Sequence, residues 1–102
     1  NVSAWEIENV VNQFPQVLES AAHAVPSELG EDDIKVVVVP QPGATVEPRA
    51  LIDYCTTRMA IYAVPRYVEV REEIPKTPTQ RPRYALLKEQ GITGATWDRE
   101  RP

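Results

Sequence analysis

The chain has 102 residues, of which 42% are hydrophobic and 25% are charged, as is typical of one soluble globular domain. Eleven basic residues against fifteen acidic ones give a net charge of −4, so nucleic acid is not expected as a partner. Cys55 has no second cysteine to pair with, which favours a reducing, cytoplasmic setting. The longest apolar run, residues 36–39, is far shorter than the roughly 20 residues that span a bilayer, so no membrane span is expected.

The chain opens with the signals of a helix. Ser3 and Glu6 have the spacing of a capping box, in which the Ser3 hydroxyl accepts from the Glu6 amide and the Glu6 carboxylate reaches back. Pro15 disfavours helical geometry at the residue before it, so the helix should end there. Between these limits, apolar residues at helical spacing form one stripe, namely Ile7, Val10, Val11 and Phe14.

Three segments are predicted to be strands. Residues 20–25 are small and apolar, and His23 among them is interpreted as a packed strand residue because a histidine base needs partners in reach. Residues 34–39 are β-branched and nearly all apolar, which indicates a central strand covered on both faces. Residues 67–71 alternate valine with polar side chains, which indicates a half-buried strand.

A second helix should begin near Pro48, which suits a first helical turn, and should be over by Pro65. Residues 74–83 are rich in proline and cations and should form an exposed loop. The second helix has one apolar face, which makes its cysteine a core residue: Leu51, Ile52, Cys55 and Met59.

The end of the chain is predicted to hold one more helix. Residues 82–90 should form a short helix that ends at Gly91, a natural C-cap. Residues 93–102 are expected to be a loose tail, with Trp97 as an anchor, while residues 1–92 form the domain proper.

These elements predict an α+β fold. It is a small two-layer sandwich in which about three strands, mainly antiparallel, pack with two main helices, plus a short C-terminal helix. Its core is predicted to contain Ile7, Val10, Val11, Val36, Val38, Leu51, Ile52, Met59 and Val68.

Most active-site templates are absent from the sequence. It has no glycine-rich phosphate loop and no nucleophile elbow. One cysteine and one histidine cannot make a zinc site, and the acidic run 31–33 lacks ligand spacing, so no metal site is expected. The exception is segment 75–81, where rigid prolines, hydroxyls and cations precede a helix. Such a loop can hold a cation toward a phosphate or carboxylate, or it can be a solvated connector.

Segment 74–87 resembles the P-x-T-P-T-G-K loop and the short helix after it in adenylate-forming ligases. Residues 1–8 are similar to the E-N-I-S-x-x-E-V-E segment that opens their C-terminal domain, and residues 54–66 to their Y-C-x-x-x-L-A-x-Y-K-V-P-R stretch. Further blocks at 17–26 and 36–43 follow in the family order and spacing. The chain therefore resembles the C-terminal lid domain of an AMP-forming acyl-CoA synthetase, loosely of the crotonobetaine/carnitine–CoA ligase type.

The resemblance implies a two-step ligase. A small-molecule carboxylic acid and ATP, with Mg, give an acyl-adenylate, and coenzyme A then displaces AMP. ATP, Mg and coenzyme A would be bound mainly by an N-terminal domain of the same polypeptide, which is the expected partner. The lid rotates between the two steps and is inactive alone. One face presents a loop lysine to the reacting phosphate, and another lines the thiol tunnel.

Two departures from the family loop carry consequences. Arg81 stands where the family has a lysine, and arginine keeps the positive charge but is wider and planar. Gln80 stands where the family has a glycine, and glutamine resists a positive φ, so a different course of the loop is expected.

Two other functions remain open, namely an adenylation-domain lid that serves a carrier protein and a non-catalytic α+β interaction module. Carried over residue by residue, the site consists of Arg81 at the catalytic lysine position, Thr79, Gln80 and Lys76 as loop support, and Asn1, Val2 and Ser3 on the thiol-tunnel side.

Overall fold

The computed structural model describes residues 3–101, so two residues predicted on the thiol-tunnel side, Asn1 and Val2, lie outside the described part. Within that part the chain forms three α-helices around a four-stranded sheet. None of these helices is long and apolar enough to cross a membrane. In chain order the elements are helix α1 (Ala4–Val11), strands β1 (Val17–Val25) and β2 (Asp33–Pro40), helix α2 (Pro48–Thr56), a 3-10 turn (Ile61–Ala63), strand β3 (Tyr67–Val70), helix α3 (Tyr84–Gln90) and strand β4 (Thr96–Asp98).

Both main helices begin where capping chemistry predicts. The Ser3 hydroxyl accepts a hydrogen bond from the Glu6 amide at 3.2 Å, and α1 starts at the next residue. Pro48 is the first residue of α2, whose first amides donate to the carboxylate of Glu47. Both helices end earlier than predicted, α1 at Val11 and α2 at Thr56, because turns and the 3-10 segment occupy the residues before the next proline.

Strand β2 is central, as predicted. It pairs antiparallel with β1 on one side and parallel with β3 on the other, and β3 pairs antiparallel with β4. The strand order is therefore β1-β2-β3-β4, and the sheet is mainly antiparallel. Three consecutive valines of β2, residues 36–38, are fully buried, because helices cover both faces of the sheet at this strand.

The predicted count of three strands is wrong. The fourth strand, β4, lies in the segment expected to be a loose tail, and it pairs Trp97 with Val68 of β3. The Arg49 guanidinium of α2 lies 5.0 Å from the centroid of the Trp97 ring, so this residue is an anchor, as predicted. Three residues are too few to show an alternating pattern, but they cover the edge of β3 that would otherwise be unpaired.

The core has two parts, one on each face of the sheet. Helices α1 and α2 cover one face, and the smaller α3 covers the other. The prediction for the first part is confirmed for seven of the nine residues named, while Val10 and Met59 are partly buried at its border. Cys55 is buried, and burial raises the pKa of its thiol to about 11, consistent with a core residue rather than a nucleophile. The second part consists of Ala21, Val37, Val39, Ile74 and Leu87.

The alternation predicted for β3 is wrong at its acidic residue. Glu69 is 5% exposed and pairs with Lys35 of β2, whose ammonium lies 2.8 Å from the Glu69 carboxylate. Burial raises the pKa of Glu69, but hydrogen bonds from Lys35, Thr93 and Thr96 outweigh it and hold that pKa below its usual range. The Lys35 ammonium also donates to the Gly91 carbonyl at 2.6 Å, so the pair connects the sheet to the end of α3.

Candidate functional site

The segment that resembles the family loop folds as a closed hairpin. Lys76 and Pro82 form an antiparallel bridge at its base. The Thr77 amide donates to the Arg81 carbonyl at 2.7 Å, and the Gln80 amide donates to the Thr77 carbonyl at 2.9 Å. We call residues 76–82 the cationic hairpin. Its tip is therefore a defined backbone structure and not a solvated connector without fixed shape.

Gln80 takes the backbone conformation that glycine would take. Its φ is +66°, and among residues 3–101 it is the one non-glycine residue with a positive φ. Glutamine resists a positive φ, yet Gln80 adopts one here. Three-residue hairpin loops commonly end in a left-handed residue, which lets the strands close with a bulge. The hydrogen bonds around Thr77 require this shape, and Gln80 adopts it in spite of its Cβ.

Threonine hydroxyls stabilise the hairpin from inside. The Arg81 amide donates to the Thr77 hydroxyl at 3.1 Å, and the same hydroxyl lies 3.1 Å from the hydroxyl of Thr79. Thr79 therefore contacts the hydroxyl that accepts from the Arg81 amide. Thr77 itself was not among the predicted site residues. The signal that could have found it is the short polar repeat of Thr77 and Thr79 around Pro78, since threonine hydroxyls often bond to nearby turn amides.

Arg81 and Lys76 have different surroundings. Arg81 is exposed, and within the described residues its guanidinium has no hydrogen-bond or ion-pair partner. The Lys76 ammonium lies 2.7 Å from the carboxylate of Glu19 on β1, and both side chains are partly buried. Lys76 therefore anchors the hairpin to the sheet, whereas Arg81 presents a free positive charge at its tip. The role of Glu19 was missed, because strand periodicity alone does not show which loop lies over β1.

Ser3, the described member of the predicted thiol-tunnel group, lies at the start of α1. Its hydroxyl accepts from the Glu6 amide, and it makes no hydrogen bond to the cationic hairpin among the described residues. The structure thus brings together the four predicted loop residues and leaves Ser3 on a separate element.

Metal ligands are not clustered in the described part of the chain. Between Ser3 and Arg101, no three His, Cys, Asp or Glu side chains lie close enough together to hold an ion. The acidic run 31–33 instead contributes Asp33 to an ion pair with Arg66 at 3.1 Å. Arg66 also bonds to Asp98 at 3.0 Å, so these charges connect the starts of β2 and β3 to the end of β4.

Comparison with protein families decides the class of this domain. The model of the AMP-binding enzyme C-terminal domain matches residues 6–81, which run from α1 to Arg81. The chain belongs to this family. Over 98 residues, it is 36% identical to a long-chain-fatty-acid–CoA ligase of Yersinia pestis, and the match covers 96% of this chain and 17% of that protein. A crotonobetaine/carnitine–CoA ligase of Proteus mirabilis is 34% identical over 76 residues, which cover 74% of this chain and 15% of that enzyme.

Solved structures agree with this membership in the AMP-binding enzyme C-terminal domain family. A fatty acyl CoA synthetase of Mycobacterium tuberculosis superposes with a TM-score of 0.80 at 34% identity, covering 88% of this chain and 18% of that one. The chain thus spans less than a fifth of the length of the relatives it matches. In those relatives, the domain is part of a much longer polypeptide.

Proposed function

We propose that the chain is the mobile C-terminal lid of an ATP-dependent carboxylic acid–CoA ligase. The whole enzyme would form an acyl-adenylate from an acid and ATP and then transfer the acyl group to coenzyme A. The observation that carries this proposal is the family match over residues 6–81, whose last residue, Arg81, lies exposed at the tip of a hairpin. Both ligases named above are CoA ligases, which supports coenzyme A over a carrier protein as the thiol.

Arg81 would supply positive charge to the first step. A carboxylate that attacks the α-phosphate of ATP brings two negative groups together, and a preorganised cation offsets their repulsion and the charge that develops. A guanidinium stays protonated and can donate two parallel hydrogen bonds to a carboxylate or phosphate. Because Arg81 has no partner within the described residues, it needs to break no ion pair there to reach such a substrate.

The remaining parts of the reaction are assigned to the rest of the polypeptide. ATP, Mg and the acid would bind mainly to the larger N-terminal domain, since the relatives have more than four-fifths of their length outside the match. The lid would rotate between the two steps, and its N-terminal segment, including Ser3, would then line the path of the thiol. A lid that excludes water protects the adenylate from hydrolysis.

The test uses the full-length protein and measures the two half-reactions separately. Arg81→Ala should slow adenylate formation by about 10²–10³-fold, the usual scale for loss of one preorganised donor. Thioester formation from supplied acyl-adenylate should barely change. Arg81→Lys should retain activity, because lysine keeps the positive charge and Gln80 already takes the positive φ that glycine favours. Arg83→Ala, which removes a neighbouring exposed cation, is the matched control and should have little effect.

Two outcomes would contradict this role of Arg81. If Arg81→Ala slows both half-reactions equally, the variant is misfolded or the residue has no step-specific role. If Arg83→Ala causes the larger loss in adenylate formation, the charge comes from Arg83 and the assignment to Arg81 is wrong.

A further inference from the structure

The cationic hairpin is held to the body of the domain by two side-chain contacts, one on each arm. The first arm is anchored by the ion pair of Lys76 with Glu19 at 2.7 Å. The second arm leads directly into α3, where the Tyr84 hydroxyl donates to the carboxylate of Glu8 at 2.6 Å. The same carboxylate oxygen accepts from the Ala22 amide of β1 at 2.9 Å. Glu8 therefore connects α1, the edge strand and the end of the hairpin.

This second contact joins helices that lie on opposite faces of the sheet. Glu8 belongs to α1, Tyr84 is the first residue of α3, and the outermost strand β1 lies between them. The Ala22 amide belongs to this outer strand, and the Glu8 carboxylate accepts its hydrogen bond. The Tyr84–Glu8 bond therefore reaches around the free edge of the sheet. A charge-assisted bond of this kind is shorter and stronger than one between neutral groups.

Tyr84 follows Arg81 by three residues, and the Arg81 charge acts on its hydroxyl. Burial and the bond to Glu8 raise the pKa of the Tyr84 hydroxyl, and the positive charge of Arg81 partly opposes this shift. Two backbone hydrogen bonds stabilise the segment that joins Arg81 to Tyr84. The Arg83 amide donates to the Pro75 carbonyl at 2.9 Å, and the Tyr84 amide donates to the Pro82 carbonyl at 3.0 Å. A displacement of Tyr84 would therefore be passed on to the hairpin tip.

We propose that Tyr84 is a positioning residue for Arg81. Its hydrogen bond to Glu8 fixes the second arm of the cationic hairpin, so that the guanidinium is held where adenylation needs it. This inference rests on the role proposed for Arg81 above. Without the bond, the hairpin keeps the Lys76–Glu19 ion pair and its backbone hydrogen bonds, but its second arm loses the side-chain contact with α1. Displacements of about 1 Å can cost up to 10²-fold in rate when a reacting group must be aligned.

The first experiment removes only the hydroxyl. Tyr84→Phe in the full-length protein should slow adenylate formation by about 5–20-fold at unchanged KM for ATP, as expected for a misaligned but intact group. Transfer from supplied adenylate to coenzyme A should not change. The matched control is Ser20→Ala, which removes a 2.7 Å bond between Ser20 of β1 and Asn12 after α1, a bond that does not involve α3. The control should leave both half-reactions within about twofold of the parent rate.

A double-mutant cycle separates positioning from general stability. If Tyr84 acts through Arg81, Tyr84→Phe should have no further effect on adenylation in an Arg81→Ala background, because coupled residues are not additive. An equal loss in both backgrounds would overturn the proposal, as would an equal loss in the Ser20→Ala control.

Amide exchange in the 102-residue chain gives a readout that does not depend on the role of Arg81. Tyr84→Phe should raise the exchange rates of the Gln80 and Arg81 amides about tenfold, because both amides donate to Thr77 within the hairpin. Unchanged exchange rates at these two amides would overturn the proposal, even if Arg81→Ala slows adenylate formation. If exchange rises but Arg81→Ala has no effect on adenylation, Tyr84 still positions the hairpin and only the proposed role of Arg81 fails.

Discussion

The shape of the cationic hairpin depends on the backbone angle φ of one residue, Gln80. The left-handed region costs an ordinary L-residue roughly 1–2 kcal/mol, because its Cβ approaches the following carbonyl oxygen. Gln80 adopts this conformation at φ +66°, held by its own amide bond to Thr77 and by the bonds of the residues on either side. The hairpin thus stores strain at the residue before Arg81.

Replacing the strained residue should stabilise the domain. We expect Gln80→Gly to raise the free energy of unfolding by about 0.5–1 kcal/mol, because relief of the Cβ contact outweighs the greater freedom of glycine in the unfolded chain. Urea titration of the isolated chain measures the change. Gln80→Ala is the control, since alanine keeps the Cβ and should leave stability nearly unchanged. A loss of stability in Gln80→Gly would show that the glutamine side chain makes a favourable contact.

His23 is packed within strand β1, as predicted. It is 5% exposed, and its Nδ1 donates to the Ala24 carbonyl at 3.1 Å, since a carbonyl can only accept. Its Nε2 is buried without a partner among the described residues. Burial lowers the pKa of His23 from 6.5, the positive charges of Lys35 and Lys88 add to this, and the Ala24 carbonyl and Glu69 partly oppose it.

This shift makes stability depend on pH in a definite direction. The unfolded chain binds the His23 proton more readily than the folded one, so the free energy of unfolding should fall as pH is lowered through 6.5. Urea titrations at about pH 7.5 and about pH 5.5, where histidine titrates, would measure the loss. In His23→Gln, the free energy of unfolding should change less between these two pH values. The carboxylates of Glu69 and Asp98 act at lower pH, because their pKa values lie below 4.5 and 3.8. If the free energy of unfolding falls equally with pH in His23→Gln and in the parent, the assignment of this pH dependence to His23 is wrong.

At the scale of elements, β2 decides the packing of the domain. Its even-numbered valines face α1 and α2, and its odd-numbered ones face α3, so both parts of the core meet at this strand. The near-continuous apolar run predicted this position, since only a strand covered on both faces tolerates it. Lys35 is the exception in the run, and the buried carboxylate of Glu69 compensates its charge.

Truncation of fully buried side chains should therefore be costly. We expect Val38→Ala in β2 and Leu51→Ala in α2 each to lower the free energy of unfolding by about 2–4 kcal/mol, through lost transfer energy and a cavity. Both residues are 0% exposed, whereas Leu29 is 94% exposed. Leu29→Ala is thus the matched control and should change stability by less than about 0.5 kcal/mol. A core variant that loses no more than this control would mean that its cavity collapses completely.

At the scale of the whole molecule, the proposed function makes the domain one part of a larger active site. It presents a cation on a defined hairpin, but the described residues contain no cluster of metal ligands. The relatives it matches are about five times as long or longer. Under the proposed function, its fold positions a charge relative to another domain.

It follows that the 102-residue chain should have no ligase activity alone. One cation supplies at most part of the electrostatic stabilisation that adenylation needs. Incubation of the purified chain with ATP, Mg and a panel of carboxylic acids should release no pyrophosphate above background. The full-length protein is the positive control. Release by the isolated chain that is lost in Arg81→Ala would show that the domain holds a complete site.

The class of fold, the family and the main elements could be predicted from the sequence. Capping residues, the apolar run of β2 and the family blocks are local signals, and each depends on neighbours along the chain. The folded structure was needed to show the burial of Glu69 with Lys35, the strand β4, and the contacts of Glu19 with Lys76 and of Glu8 with Tyr84. These features depend on groups far apart in sequence, and polar residues that pair on folding look, in the sequence, like residues that face water.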